Sequence, residues 1–328
     1  MRIRRMVPRA MDGFSPAGAV MGKSDQPNID YRRYLDPRTL AKIAALDIRA
    51  RLIVEGFVTG MHRSPYRGFS VEFAQHRPYA SGDDIKYIDW KVFGRTDRHY
   101  IKQYEEETNL QVLLVVDASS SMNYAGQVNT DWRKFDHATS IAASMAYVAL
   151  RQQDGAGLAI FDSRLRHLIR PSNNPRQWRI IIEELSTTPG EPKTDTGHVL
   201  EEIAGEIRHR SLVVLISDLF DDPERIIKGI RRLRHRRHDL IVLQTLDHDE
   251  IEFPFRATTM FRGMEEANDV LVEPQALRDA YLNELHRHTA QIRTACHQLH
   301  VDYAQVDTSV PLDISLPGFL ATRAARMA

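Results

Sequence analysis

Two apolar runs constrain this chain more than any other feature. Val112-Leu113-Leu114-Val115-Val116 leads directly into Asp117, and Leu212-Val213-Val214-Leu215-Ile216 leads into Ser217 and Asp218. Unbroken aliphatic runs of this length, without polar alternation, read as strands covered on both faces, as in parallel sheets. In such sheets ligands gather beyond the carboxyl ends of the strands. Two strands that end in acids therefore bring two carboxylates to one edge. The first acid is followed by three hydroxyls, Ser119, Ser120 and Ser121.

The rest of the chain supplies the helices such a sheet needs. After the strand 111–117, a helix is expected near 134–152, with Phe135, Ala138, Ile141, Ala142, Met145 and Val148 at helical spacing. A hairpin (Leu158–Phe161 and Leu165–Ile169) and helices near 175–186 and 196–209 come next, then the strand 212–218. A helix opened by Pro223, the strand Leu240–Leu246, a long helix at 275–299 and a strand at 301–307 complete the alternation. Strands alternating with helices of this length imply an α/β fold with a mostly parallel, doubly wound sheet. An extra hairpin is expected as an insert near 247–273.

Upstream the pattern changes, which divides the chain into three parts. Residues 1–34 lack periodicity and read as a flexible lead-in. Residues 35–110 hold a helix opened by Asp36-Pro37, with Leu40, Ile43, Ala44, Ile48 and Leu52 on one face, then a β-rich segment. That segment includes Ser70–Phe73, a turn at Ser81-Gly82-Asp83, and His99–Lys102. Residues 111–328 form the α/β domain.

Charge and cysteine content narrow the function. Of 328 residues, 44 are Lys or Arg and 44 are Asp or Glu, so nothing biases the whole molecule toward nucleic acid or anionic lipid. One cysteine, Cys296, excludes an internal disulfide framework and points to a reducing compartment. The basic start MRIRRMVPRAM has no apolar segment behind it, and the apolar stretch Ser140–Leu150 is too short to cross a bilayer. A cytoplasmic protein with no direct membrane insertion is the expectation.

The two carboxylates and their hydroxyls form an all-oxygen set. The loop Pro192-Lys193-Thr194-Asp195-Thr196-Gly197 lies between the two strands in sequence and would reach the same edge. Such a set suits a hard divalent cation, Mg²⁺ at about 2.1 Å or less stringently Mn²⁺ or Ca²⁺. The spacing Asp117-x-Ser119-x-Ser121 lets a tight turn aim alternate side chains at one point. Neutral hydroxyls leave such an ion under-neutralised, so it would keep water or accept an outside carboxylate. The bland reading of the same residues is a turn or a helix cap.

Asp117-x-Ser119-x-Ser121, a Thr-bearing loop and Asp218 resemble the metal-ion-dependent adhesion site of von Willebrand factor A-like domains. Gly60-x-His62-x-Ser64, Gly68, Glu72-Phe73, Arg77-x-Tyr79, Gly82-Asp83-Asp84, Ile88-Asp89-Trp90 and Arg95-Thr96 resemble the signature of the bacterial family called domain of unknown function 58. The resemblance covers roughly residues 36 to 320. It implies a Rossmann-like von Willebrand factor A domain with a β-rich N-terminal segment. It also implies Ser119, Ser121 and Thr194 as metal contacts, with Asp117 and Asp218 often acting through water. Family members are taken to work beside MoxR-type AAA+ ATPases, so the implied partner is such an ATPase or its client, in protein maturation or remodelling. The sequence departs from the pattern where Pro192-Lys193 replaces the usual Gly-Gly, which sets Thr194 and Thr196 in competition. Thr194 is favoured because Leu200 then falls where the helix's apolar residue is expected. Many members also carry N-terminal transmembrane helices; no stretch here has that length and apolarity.

The expected function is a non-enzymatic module that grips a partner carboxylate through Mg²⁺. The alternative is a Mg²⁺-dependent phosphatase or phosphotransfer enzyme with Asp117 as nucleophile, but no second acid follows at the Asp-x-Asp spacing and no Lys ends the strand Leu240–Leu246. No phosphate-binding glycine loop is present. The basic run Arg231–His238 reads as a solvated helix face, and the pairs His235/His238 and His297/His300 lack the partners that zinc requires. Asp83, Asp84 and Asp89 read as a turn and an edge strand, or as a partner-contact surface.

Overall fold

The strands are cut where the apolar runs predicted, and their side-chain alternation builds two cores. The computed structural model describes residues 6–8, 45–54, 73–80, 88–104, 110–186, 194–256, 259–263 and 269–327. Its main sheet contains β4 (Gln111–Asp117), β5 (Gly155–Phe161), β6 (Leu165–Ser172), β7 (Leu212–Ser217), β8 (Asp239–Leu246) and β11 (Asp302–Asp307). Their order across the sheet is β11-β8-β7-β4-β5-β6, parallel throughout except for the β5–β6 hairpin.

Because strand side chains alternate faces, Val112, Leu114 and Val116 pack on one side and Leu113 and Val115 on the other. The first side is covered by the helical segment 45–54 (α1), α3 (Lys134–Arg151), α4 (Gln177–Leu185) and α9 (Leu312–Met327). The second is covered by α5 (Thr196–Glu206), α6 (Pro223–His235) and α8 (Pro274–Gln298). Gly197 and Gly229 let α5 and α6 approach closely. A Cβ on Gly197 would stand 2.7 Å from Arg225 Cβ, and one on Gly229 would stand 2.7 Å from Leu200 Cβ.

The chain leaves β4 toward β5 and β6 on one side and returns to β7 on the other. The order therefore reverses between β4 and β7, which makes a crevice at their carboxyl ends. Asp117 and Asp218 stand at that point.

Several expectations need correction. In α1 the buried face is Leu46, Ala50 and Ile53, while Ile48 and Leu52 are 56% and 61% exposed. The four-residue spacing Leu40–Ala44–Ile48–Leu52 drifts around a helix of 3.6 residues per turn and does not mark the core face. Asp89 is not in an edge strand. It caps α2 (Trp90–Thr96), accepting from the amides of Lys91 and Val92. The upstream sheet is β2 (Phe73–Pro78) against β3 (Tyr100–Tyr104). The insert does form a hairpin, β9 (Thr259–Gly263) with β10 (Asp269–Val272), and Met6–Pro8 (β1) of the lead-in pairs with β9. A short helix, α7 (His248–Glu252), precedes that hairpin, and α9 was not anticipated. The start of the first helix, residues 70–72, Asp83 and Asp84 lie outside the described residues. Among the described residues no helix is long and apolar enough to cross a membrane.

Candidate functional site

Asp117 closes β4 and is fully buried. Its Oδ1 accepts from the Ser119 amide at 2.9 Å, which starts the tight turn that the Asp-x-Ser-x-Ser spacing predicted. The chain continues into a three-ten turn, Ser120–Asn123, and the hydroxyls of Ser119 and Ser121 come to 3.0 Å of each other. Both serines are buried. Three of the expected residues are therefore brought together as one oxygen cluster.

Asp218 follows β7 and is joined to Asp117 through Ser217. The Ser217 hydroxyl donates to Asp117 Oδ2 at 2.6 Å and accepts from the Leu219 amide at 2.9 Å. Leu219 has a left-handed backbone (φ 59°), which an L-residue adopts only at a cost. Its amide on Ser217 and its carbonyl, accepting from His288 Nε2 on α8 at 2.8 Å, hold it there. Burial and, secondarily, the charge of Asp218 push the Asp117 carboxyl up to about 6. Two acids thus share this crevice, and the charge of one makes the Asp117 carboxyl harder to ionise.

Thr194 reaches the same sheet edge by its backbone. The Asp195 amide donates to the carbonyl of Asp162, the residue after β5, whose Phe161 is in register with Asp117. Asp195 then caps α5 through the His198 amide. The hydroxyls of Thr194 and Thr196 are both buried and have no hydrogen-bond partner among the described residues. An unmet buried hydroxyl costs about 1–3 kcal/mol, and both of these belong to the loop that Asp195 ties to the end of β5. The Leu200 that favoured Thr194 is fully buried on α5.

The sequence reading missed two charged residues. Lys134, the first residue of α3, is fully buried and donates to Asp218 Oδ2 at 2.9 Å and to Glu250 Oε1 at 2.7 Å. Its Nζ also lies 5.0 Å from the Phe220 ring centroid. Burial lowers the Lys134 ammonium, but Asp218 and Glu250 together raise it above its usual value. Burial pushes the Glu250 carboxyl up to about 7 against the pull of Lys134. Lys134 was detectable in principle, since it shares a helix stripe with Ala138, Ile141 and Met145, where a cation needs an explanation. Glu250 was hidden because only the fold turns the segment after β8 back toward Asp218.

A second acidic pair braces the loop that follows the serines. Asp247 caps α7 and Asp249 lies in it, and both are buried. Asp249 Oδ2 accepts from the Tyr124 hydroxyl at 2.9 Å and the Gln127 amide at 2.8 Å. Asp247 Oδ2 accepts from the Gly126 amide at 3.2 Å and the Thr308 hydroxyl at 2.9 Å. The serine turn is thus tied to the end of β8.

Among the described residues no three His, Cys, Asp or Glu side chains form a group that could hold a metal. A cation in the crevice would depend on the hydroxyls as well as the acids. Asp117, Ser119, Ser121, Asp218 and one of the two threonines offer only oxygen, the donor type preferred by Mg²⁺ and Mn²⁺.

Uncharacterised proteins of Mycobacterium tuberculosis and Mycobacterium bovis are each 23% identical over 262 residues, 78% of this chain and 81% of theirs. The structure is similar to that of an aerotolerance-related membrane protein from Bacteroides fragilis (15% identity, 67% of this chain and 100% of that one, TM-score 0.45). It is also similar to the SpRpn10 VWA domain (10% identity, 66% and 95%, TM-score 0.38). The family model described as protein of unknown function DUF58 matches residues 75–291, more than half of the sequence, and the chain belongs to that family.

Proposed function

We propose that the chain is a non-enzymatic protein-binding module whose crevice holds Mg²⁺ or Mn²⁺ and through it a carboxylate of a partner protein. Ser119, Ser121 and Thr194 would contact the ion, with Asp117 and Asp218 behind them. The ion would supply a Lewis-acidic position to which an acidic side chain can bind. The protein's own part is to hold the hydroxyls in one turn, to keep the acids out of bulk water, and to brace the loop with Asp247 and Asp249. The observation that carries this reading is the buried Asp117–Ser119–Ser121 cluster, with a hydroxyl pair 3.0 Å apart. The partner proposed is a MoxR-type AAA+ ATPase or its client, in the cytoplasm.

The phosphotransfer reading would need Asp117 to attack as a nucleophile. Each of its oxygens already accepts a hydrogen bond, and the side chain is fully buried, which favours binding over attack. The reading is tested by affinity capture from native extract in Mg²⁺ and in chelator, using the parent and Asp117→Asn. Co-purification of a MoxR-type ATPase with the parent in Mg²⁺ alone supports it. Equal capture in chelator, or by the variant, contradicts it.

A further inference from the structure

The feature left unexplained by a plain metal site is Lys134. A lysine in the first turn of a helix stands at the positive end of the helix dipole, where cations are disfavoured. It is also among the largest fully buried side chains of the chain. Burial of an ammonium is tolerated only where carboxylates meet it with good geometry. Here Asp218 lies at 2.9 Å and Glu250 at 2.7 Å, while the Phe220 ring covers the ammonium. Asp218 is the acid through which the metal reading also runs. One carboxylate is therefore shared between the protein's own cation and any cation that enters from outside.

We propose that Lys134 is the resident counter-cation of the crevice. It holds Asp218 and Glu250 in place when no divalent ion is present, and it lowers the affinity for that ion so that retention depends on an added anion, the partner's carboxylate. This inference rests on the metal-dependent binding reading above. The electrostatics are direct: of the two acids the metal reading uses, Asp117 and Asp218, the second is already paired with Lys134, so too little uncompensated negative charge faces a divalent ion among neutral hydroxyls. The ion keeps residual positive charge, and an incoming carboxylate completes it. Glu250 is part of the device, because it turns the ammonium partly away from Asp218 and anchors it to α7.

A charge series separates this role from a merely structural one. Lys134→Met removes one positive charge, Glu250→Gln removes one negative charge, and the double variant restores the parent's net charge. A unit charge acting on a divalent ion across a few ångströms changes affinity by roughly tenfold or more. In isothermal titration of Mg²⁺ into metal-stripped full-length protein, Lys134→Met should bind at least about tenfold tighter than the parent. Glu250→Gln should bind weaker, and the double variant near the parent. In thermal melts, Lys134→Met should be the variant that chelator destabilises most and Mg²⁺ restores most. If Lys134→Met does not fold without metal, Glu250→Gln and the double variant still set the order. Tighter binding by Lys134→Met where the parent binds weakly or not at all supports the proposal. Equal affinities across the series, with the parent binding and Asp117→Asn not binding, overturn the role of Lys134 alone. Absence of binding in every variant overturns the metal reading and this proposal with it.

Discussion

Gly126→Ala is the sharpest structural test of the brace beside the serine turn. Gly126 shows no left-handed backbone, so alanine meets no conformational penalty there. The obstacle is steric: a Cβ at this position would overlap Asp247 Oδ1, and would stand 2.8 Å from its Cγ and 3.0 Å from Asp249 Cγ. Asp247 cannot retreat, because its Oδ1 accepts from the Asp249 amide and its Oδ2 from Thr308. The loop must lift instead, which breaks the Gly126, Gln127 and Tyr124 bonds to the two acids. Hydrogen bonds to charged groups contribute about 1.5–3 kcal/mol each. Water can reach part of the lifted loop, so the net loss is about 2–4 kcal/mol, in the range of single substitutions with a named steric cause. Urea unfolding should show that loss, and calorimetry a fall in Tm of roughly 3–6 °C. Gly205→Ala is the control: nothing lies within 4 Å of its Cβ, and in α5 alanine should be neutral or stabilising by up to ~1 kcal/mol. If Gly126→Ala matches the parent to within about 0.5 kcal/mol, the brace does not exist as described.

Other outcomes follow from the same geometry. Thr194→Val and Thr196→Val remove hydroxyls with no partner among the described residues, so neither should lose stability. The one that ligates should lose about tenfold or more in Mg²⁺ affinity, and equal affinity in both variants would remove the threonine loop from the site. Burial lowers the His137 imidazole from its usual 6.5 to about 4. The protein is therefore stabilised above pH 6.5 and loses stability as pH falls through about 4. The loss should amount to on the order of 3 kcal/mol. His137→Gln should flatten the stability profile between those values, and an unchanged slope would refute the assignment. Asp117, pushed up to about 6, acts in the opposite sense, stabilising most below its ordinary value and losing that contribution as pH rises. Mg²⁺ needs the ionised form, so its affinity should rise between pH 5 and 7, and a flat profile would argue against Asp117 as a contact.

The fold was legible where burial is two-sided. Val112–Val116 and Leu212–Ile216 announce central parallel strands because no polar residue can sit on either face, and their terminal acids mark the ligand edge. The serine turn was legible because its spacing is local. Helix α9 was not, although Leu312, Leu316 and Leu320 pack in the core at helical spacing. Pro317 stands within it and argues locally against a helix, and tertiary packing overrides that preference. Asp89 read as part of a turn and an edge strand, and only the helix that the chain forms beyond it makes it a cap. Lys134 and Glu250 come from elements 116 residues apart in sequence, so their meeting is a property of the sheet order. The orphaned Thr194 and Thr196 hydroxyls show the limit of motif reasoning: spacing brings both to the edge, and the described contacts favour neither.

The most direct test of the central claim is isothermal titration of Mg²⁺, then Mn²⁺, into metal-stripped parent, Asp117→Asn and Ser121→Ala, each checked for cooperative unfolding. The account predicts saturable binding by the parent, strengthened by a carboxylate such as glutarate, and at least about tenfold weaker binding in both variants. Identical heats in all three proteins, or none in the parent even with glutarate present, would contradict it.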